Sequence, residues 1–411
     1  MGEIEKKIAR RIIEKLGGSG TPPEFGLEHF SAGLEPYLDT IEEEYLSGFI
    51  KEGGSSFKMV VEVYGGGKTH FLYCVRDLAW KNNFATSYVS LSPGESPFHR
   101  LDLVYAAIIR GLIPPIPTSD EQDSPYSIGV RNFIKSLLRE KHQQFKDEGF
   151  SGESLQEELI NYIKDIKGVE SLSFLKAVRS AYLALLNNDE ESFETICQWL
   201  SGEKYDSRTH KKHGILQRID KTTAFQMIRS LAQWVREIGY SGLVVLLDEA
   251  ERVPSLSTKQ MELHLSNLRE VIDECSHVGL QGVMFFYAVP DDNFLEGRTQ
   301  VYEALKQRVK TEFDIFNPTG VSIELKRISD EPLELLKEIG RKLRVIFDIA
   351  HDCHLDEKCV EDTIDIVAER SYQERFGDLG YKRVFVQNIV RGFFFIRKEK
   401  RTPSYEELVS D

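Results

Sequence analysis

Long apolar runs are missing from this chain. No segment reaches the roughly 20 consecutive apolar residues that a helix needs to cross a bilayer. Leu243–Leu247 and Met284–Val289 are only of strand length. Cysteine is scarce: Cys74, Cys197, Cys275, Cys353 and Cys359 are odd in number, scattered, and form no C-x-x-C pair. That excludes a disulfide scaffold and reads as reduced thiols in a cytoplasmic protein. The tightest group, His351, Cys353, His354 and Cys359, does not have the spacing of a zinc module. Excess positive charge is also lacking, because 52 basic residues face 66 acidic ones for a net charge of -14. A surface that binds nucleic acid all over is therefore excluded, and only local basic faces remain. Met1-Gly-Glu-Ile-Glu-Lys-Lys7 has no apolar signal region, and Lys6 breaks the myristoylation pattern.

What the chain does have is a glycine-rich turn between a strand and a helix. Glu62-Val-Tyr-Gly-Gly-Gly-Lys-Thr-His70 follows the apolar run Phe57–Val63 and precedes the helical pattern Phe71–Trp80. Strand, glycine loop, Lys-Thr, helix is the layout of a phosphate cradle. Backbone N–H groups of Tyr64, Gly65, Gly66, Gly67, Lys68, Thr69 and His70 would converge on phosphate oxygens at a helix N-terminus. Lys68 would reach the outer phosphates, and the Thr69 hydroxyl would hold Mg2+. In the pattern G-x-x-x-x-G-K-[ST] the first glycine position is Glu62 here. A carboxylate about 6 Å from a phosphate costs roughly 3 kcal/mol at an effective dielectric near 20, unless it is turned away or paired.

A second element completes the site. Leu243-Val-Val-Leu-Leu247 is followed directly by Asp248-Glu249. Strands buried on both faces end at ligand sites on their carboxyl side. Asp248 would share the Mg2+ with Thr69, and Glu249 would activate the attacking water. The later strand Val283–Val289 ends in Val289, where a polar residue often touches that water. Tyr287 or Asp291 is a weaker substitute. Positive charge for the transition state would come from Arg308, where a neighbouring subunit's arginine often enters, or from Arg383 at the start of the last helix. Arg298 is a further candidate.

Apolar strands alternating with helices imply an α/β fold, with a parallel sheet covered by helices on both faces. Strands are expected near 57–63, 86–91, 242–247, 283–289 and 321–325. Helices are expected at 4–16, 33–50, 101–112, 223–238, 259–275, 331–350, 357–374 and 381–397, with a break at Gly17–Pro23. The expected organisation is an N-terminal helical segment (1–54), a first part of the core (55–117), a helical insertion (118–220), a second part of the core (221–327) and a C-terminal helical lid (328–411).

The chain resembles the P-loop ATP-binding proteins of bacteriophage-exclusion (BREX) defence systems, a branch close to the AAA+ class. The resemblance rests on Tyr64–Leu72, Val89–Pro93 with Phe98–Asp102, Trp199–Glu203 before the helix Ala224–Gly239, Gly239–Glu249 and Gln300–Leu305. It implies an AAA+-like P-loop NTPase that uses ATP and Mg2+ within a multiprotein antiviral system acting on DNA. Other defence-system proteins would be its partners, and self-association fits. By position, Lys68 and Thr69 match the phosphate loop, and Asp248 and Glu249 match the acidic strand end. Glu62, and Ala288-Val-Pro290 in place of Gly-Thr-Pro, depart from the family pattern.

Two basic stretches are candidates for DNA contact. One is Lys204–Lys221, with Arg208, Lys211, Lys212, Arg218 and Lys221. The other is Arg391–Arg401, in which Phe393-Phe394-Phe395 leads into Arg397, Lys398, Lys400 and Arg401. Surface charge runs are more often simply solvated, and three consecutive phenylalanines more often anchor a helix. Two functions therefore stand side by side. One is an ATPase that remodels a DNA-bound complex, and the other is a nucleotide-gated binding module with little hydrolysis.

Overall fold

A computed structural model describes residues 4–115, 128–203, 205–250, 256–276, 279–290, 300–328, 331–374 and 380–409. Lys204, Asp291 and Arg298 lie outside them. The chain begins with α1 (Lys6–Ser19), α2 (Glu35–Ile41) and π-helical turns at Glu42–Phe49. Then come β1 (Ser55–Val61), α3 (Lys68–Lys81), β2 (Phe84–Ser90), α4 (Leu101–Arg110) and β3 (Leu112–Ile113). Five consecutive helices follow: α5 (Val130–Asp147), α6 (Gly152–Asp165), α7 (Leu172–Leu186), α8 (Glu190–Leu200) and α9 (Ser207–Lys211). The sheet resumes through α10 (Ala224–Glu237), β4 (Gly242–Asp248), α11 (Thr258–Ser276), β5 (Val283–Val289), α12 (Gln300–Val309) and β6 (Ser322–Glu324). Last are α13 (Pro332–His351), α14 (Glu357–Gln373), α15 (Tyr381–Glu399) and α16 (Tyr405–Leu408).

The strands lie in the order β3-β2-β4-β5-β1-β6. All pairings are parallel except β2 with β3. That antiparallel edge corrects the wholly parallel sheet expected from the sequence. Leu112 and Ile113 are two residues directly after a helix, too short to show any alternation.

Strand side chains alternate between faces with a period of two, and both faces are covered. Phe57, Met59 and Val61 of β1 face the same way as Leu243, Val245 and Leu247 of β4 and as Phe285 and Tyr287 of β5. They share one core with α4, α10, α11 and the inserted helices. Val60, Val244, Leu246, Met284 and Phe286 face the opposite way and pack with α3 and the residues around Ile41–Ile50. This double burial is why the strands read as continuous apolar runs. The C-terminal helices form a third core, which they share with Ala9, Ile12, Ile13 and Leu16 of α1. Within 1–54, α1 thus packs on the C-terminal helices, while Ile41–Ile50 pack on the sheet.

α1 also runs through Gly17 and Gly18, where the sequence suggests a break. It ends at Gly20, which is left-handed at φ 62°. A Cβ on Gly17 would lie 2.7 Å from Val390 Cγ1. The glycine there serves the close approach of α1 to α15.

Trp234 of α10 is fully buried. It meets Phe133 of α5 edge-on at 5.4 Å and Phe174 of α7 at 6.0 Å. This one ring joins the sheet layer to the inserted helices. Trp234→Ala is expected to lose about 3–5 kcal/mol, read as a lower urea midpoint at unchanged slope. Trp234→Phe should lose less than half of that.

Candidate functional site

The site lies at the carboxyl ends of β1, β2 and β4, where the loop 62–67 turns into α3. Gly65 (φ 72°) and Gly67 (φ 112°) adopt left-handed conformations that a side chain would strain. They let the backbone double back, and α3 starts at Lys68 without a side-chain cap. Its first N–H groups are therefore directed at the cleft. Lys68 is buried, and its Nζ donates to the carbonyls of Glu62 (2.8 Å) and Val63 (3.3 Å).

Asp248 ends a strand that is buried along its whole length, and is itself 1 % exposed. Its carboxylate is satisfied from three directions. The Thr69 hydroxyl donates to Oδ2 at 2.6 Å, the Tyr88 hydroxyl donates to Oδ2 at 2.7 Å, and the Glu249 N–H donates to Oδ1 at 2.8 Å. Burial and the adjoining Asp248 push the Tyr88 phenol far above its ordinary pKa, so it stays a donor. Glu249 has φ 59°, a left-handed conformation costing on the order of 1–2 kcal/mol for a residue with a Cβ. Strain of this kind gathers at functional sites. The Ser90 hydroxyl donates to Glu249 Oε2, which tethers the acid to the end of β2.

Glu62 is 5 % exposed and does not point freely into the cleft. Its Oε1 accepts from the Val63 N–H at 3.0 Å, and its Oε2 lies 3.7 Å from Nζ of Lys382 on α15. A pair at about 4 Å attracts by about 4 kcal/mol at an effective dielectric near 20. The repulsion expected from an isolated Glu62 is thus met by a lysine from the far end of the chain. Arg383 beside it donates to the Ser19 carbonyl (2.9 Å) and the Tyr64 hydroxyl (3.0 Å).

The cleft over the loop is lined by Tyr64–His70, Asp248, Glu249, Lys382 and Arg383, together with the apolar side chains of Phe30, Ala32, Leu34, Ile328, Leu335 and Ile339. Pockets that combine apolar walls with a few placed polar groups suit small ligands. His70 packs on Phe30 at 5.1 Å. Because the Ser31 hydroxyl donates to the Leu27 carbonyl, His70 Nε2 donates to Ser31 Oγ at 2.7 Å.

A magnesium ion fits these donors. Mg2+ usually keeps several waters and takes only one or two protein oxygens beside phosphate oxygens. The adjoining Thr69 hydroxyl and Asp248 carboxylate offer that set. Among the described residues there is no group of three or more His, Cys, Asp or Glu that could form a cage for a metal, including around His351–Cys359.

Most of the sequence-derived site residues meet here: Tyr64–His70, Asp248, Glu249 and Arg383. Arg308 does not line the cleft. Its Nε and Nη2 bind Asp273 of α11 at 2.5 and 3.1 Å. Tyr287 is also turned away, since its hydroxyl pairs with His264 Nε2 at 2.9 Å inside the core. The sequence reading missed Tyr88, Ser90 and Lys382. Ser90 and Tyr88 fall in a strand that pairs with the acid-bearing strand in register, Ser90 opposite Asp248. That pairing is the signal that finds them.

A family model described as BREX system ATP-binding protein BrxC/D matches residues 4–408. No curated protein and no solved structure matches the chain. No helix among the described residues is long and apolar enough to cross a membrane.

The site has a pH signature. Burial, with Lys382 nearby, pulls His70 down from 6.5 to about 4. Between those values the unfolded chain binds the proton and the folded chain does not. The stability this contributes is full above pH 6.5 and is lost as pH falls towards 4, amounting to at most about 3 kcal/mol. Thermal unfolding followed from pH 7 to 4 should show that loss, and His70→Gln should flatten the slope.

Proposed function

The chain belongs to the BREX system ATP-binding protein family, and we propose that it is an AAA+-like P-loop ATPase that hydrolyses ATP in the cleft between the loop 62–67 and α15. The observation that carries this reading is the 2.6 Å hydrogen bond between Thr69 and Asp248, which joins the two halves of the site across 179 residues. The strand order supports it too. The loop follows β1 and the acids stand at the end of β4, with β5 between them, so a triphosphate lying across β5 would touch both.

Thr69 and Asp248 would hold Mg2+ together with the nucleotide's own oxygens, and the ion would draw charge from the outer phosphates. Lys68 would release its two carbonyl acceptors and neutralise those phosphates. Apolar side chains of the lining, such as Leu335 and Ile339, would take the adenine ring. Glu249, on its left-handed backbone, would accept a proton from the attacking water once the Ser90 hydroxyl releases it. Arg383, which already borders the loop, would meet charge on the transferring phosphoryl group.

The tether from Ser90 to Glu249 supports a restrained enzyme. It engages Oε2, one of the two oxygens that would orient water, and Val289 supplies no polar group of its own. The second reading, a nucleotide-gated binding module, rests on that same observation. In either case the ligand-dependent surface would face other components of the defence system. Of the two basic stretches, Lys204–Lys221 is the better candidate for DNA. Arg208, Lys211, Lys212 and Lys221 are exposed there. In the other stretch Arg401 is taken by Glu407, Phe393 is buried, and Phe394 packs on Phe347 and His351. These contacts fit phenylalanines that anchor the helix.

Phosphate release with Mg2+ tests the enzyme. Glu249→Gln is expected to lower turnover by about 100-fold or more while leaving ATP affinity within about threefold. Lys68→Ala should weaken ATP binding itself. Equal phosphate release by the wild type and Glu249→Gln would overturn hydrolysis, and tight ATP retention with no turnover would favour the binding module. Ser90→Ala should raise basal turnover by several-fold, on the order of one broken charge-assisted hydrogen bond.

A further inference from the structure

Three contacts seat the start of α15 on the phosphate loop. A Cβ on Gly380 would lie 2.3 Å from the Tyr64 carbonyl and 2.4 Å from the Gly65 carbonyl carbon, so the two backbones touch. Arg383 bonds Tyr64 and Ser19. Between them Lys382 reaches Glu62. The Glu62 side chain is folded against Gly66, where a Cβ would meet its Cγ at 2.1 Å. Glu62 does not line the cleft, whereas Lys382 does, together with Asp248 and Glu249. The ammonium group therefore stands at a boundary, with a buried carboxylate on one side and the proposed phosphate site on the other.

Two features make this pair a device for exchange. The separation of 3.7 Å is an ion pair without a tight hydrogen bond, so the lysine is held by charge more than by geometry. Burial also works against its charge, with Glu62 acting to keep it protonated. A lysine is a flexible point charge that can turn towards a second anion without moving its helix.

We propose that Lys382 distinguishes ATP from ADP: its charge rests on Glu62 in the absence of ligand and transfers to the outermost phosphate of ATP, with Glu62 acting as a built-in stand-in for that phosphate. The inference rests on the reading of the cleft as a nucleotide site. Glu62 and the terminal phosphate then compete for one cation. ADP lacks that phosphate and leaves the pair in place. Glu62 thereby sets the affinity for ATP and holds α15 on the loop when no ATP is present.

A double-mutant cycle on the full chain separates exchange from a fixed latch. The probes are ATPγS and ADP with Mg2+, measured by calorimetry on wild type, Glu62→Gln, Lys382→Met and the double variant, with circular dichroism as a check of folding. If Lys382 moves, Glu62→Gln removes the competitor and should tighten ATPγS about tenfold in the wild-type background, but only about threefold or less in the Lys382→Met background. ADP affinity should change by less than about twofold. Lys382→Gln replaces Lys382→Met should the latter fail to fold. An equal factor in both backgrounds, or ADP shifting as much as ATPγS, overturns exchange while leaving the nucleotide site standing. Binding of neither nucleotide by any folded variant overturns both.

Discussion

A single buried carboxylate organises the site. Asp248 sits at the end of a strand that is covered on both faces, where an ionised group without partners is costly. Its three donors come from three different places: Thr69 at the start of α3, Tyr88 near the end of β2, and the chain's own next N–H. Satisfying the carboxylate therefore fixes the loop after β1 relative to β2 and β4. It also holds the start of Glu249 through its N–H, and that residue separately carries the left-handed φ of 59°.

The parts of this arrangement that were legible in the sequence are those in which chemistry and local pattern coincide. Runs such as Leu243–Leu247 and Met284–Val289 reveal buried strands because both faces are covered. Gly-Gly-Gly-Lys-Thr shows its turn because left-handed conformations at Gly65 and Gly67 need glycine. Asp248-Glu249 stands out because acids seldom follow such a strand directly. Tyr88 and Ser90 were not legible, because a tyrosine and a serine in a β-rich segment are ordinary strand residues. Their role appears only when the register places Ser90 opposite Asp248. The Gly17–Gly18 pair was misleading for a related reason. Glycine marks both a chain break and a close helix contact, and only the position of Val390 decides between them.

Glu62 shows the limit of reasoning from one residue. Placed alone near a phosphate it is a liability, and the Coulomb arithmetic is sound. Yet electrostatic cost belongs to an arrangement of charges. Lys382, near the other end of the chain, offsets the Glu62 charge. No spacing rule links the two, because their contact depends on Gly380 allowing α15 to rest on Tyr64 and Gly65. The departure at the first loop position and the approach of α15 are thus one feature read at two places in the chain.

The cleft also joins parts of the molecule that have separate cores. Tyr64–His70, Asp248 and Glu249 line it from the sheet unit, whereas Lys382 and Arg383 of α15 and Leu335 and Ile339 of α13 line it from the unit whose core includes α1. Leu16 and Gly20 line the cleft as well, and Arg383 bonds the Ser19 carbonyl. A ligand filling this space would touch the sheet, the C-terminal helices and α1 at once. Any difference in how it binds at its anionic end would then bias how those units sit on one another, since a ligand shifts a conformational balance only through differential contacts. The loop, Glu62 and Lys382 stand where that difference would arise, because the proposed exchange separates a nucleotide with a terminal phosphate from one without. In the proposed exchange, the contacts that seat α15 on the loop are the ones that change with the terminal phosphate.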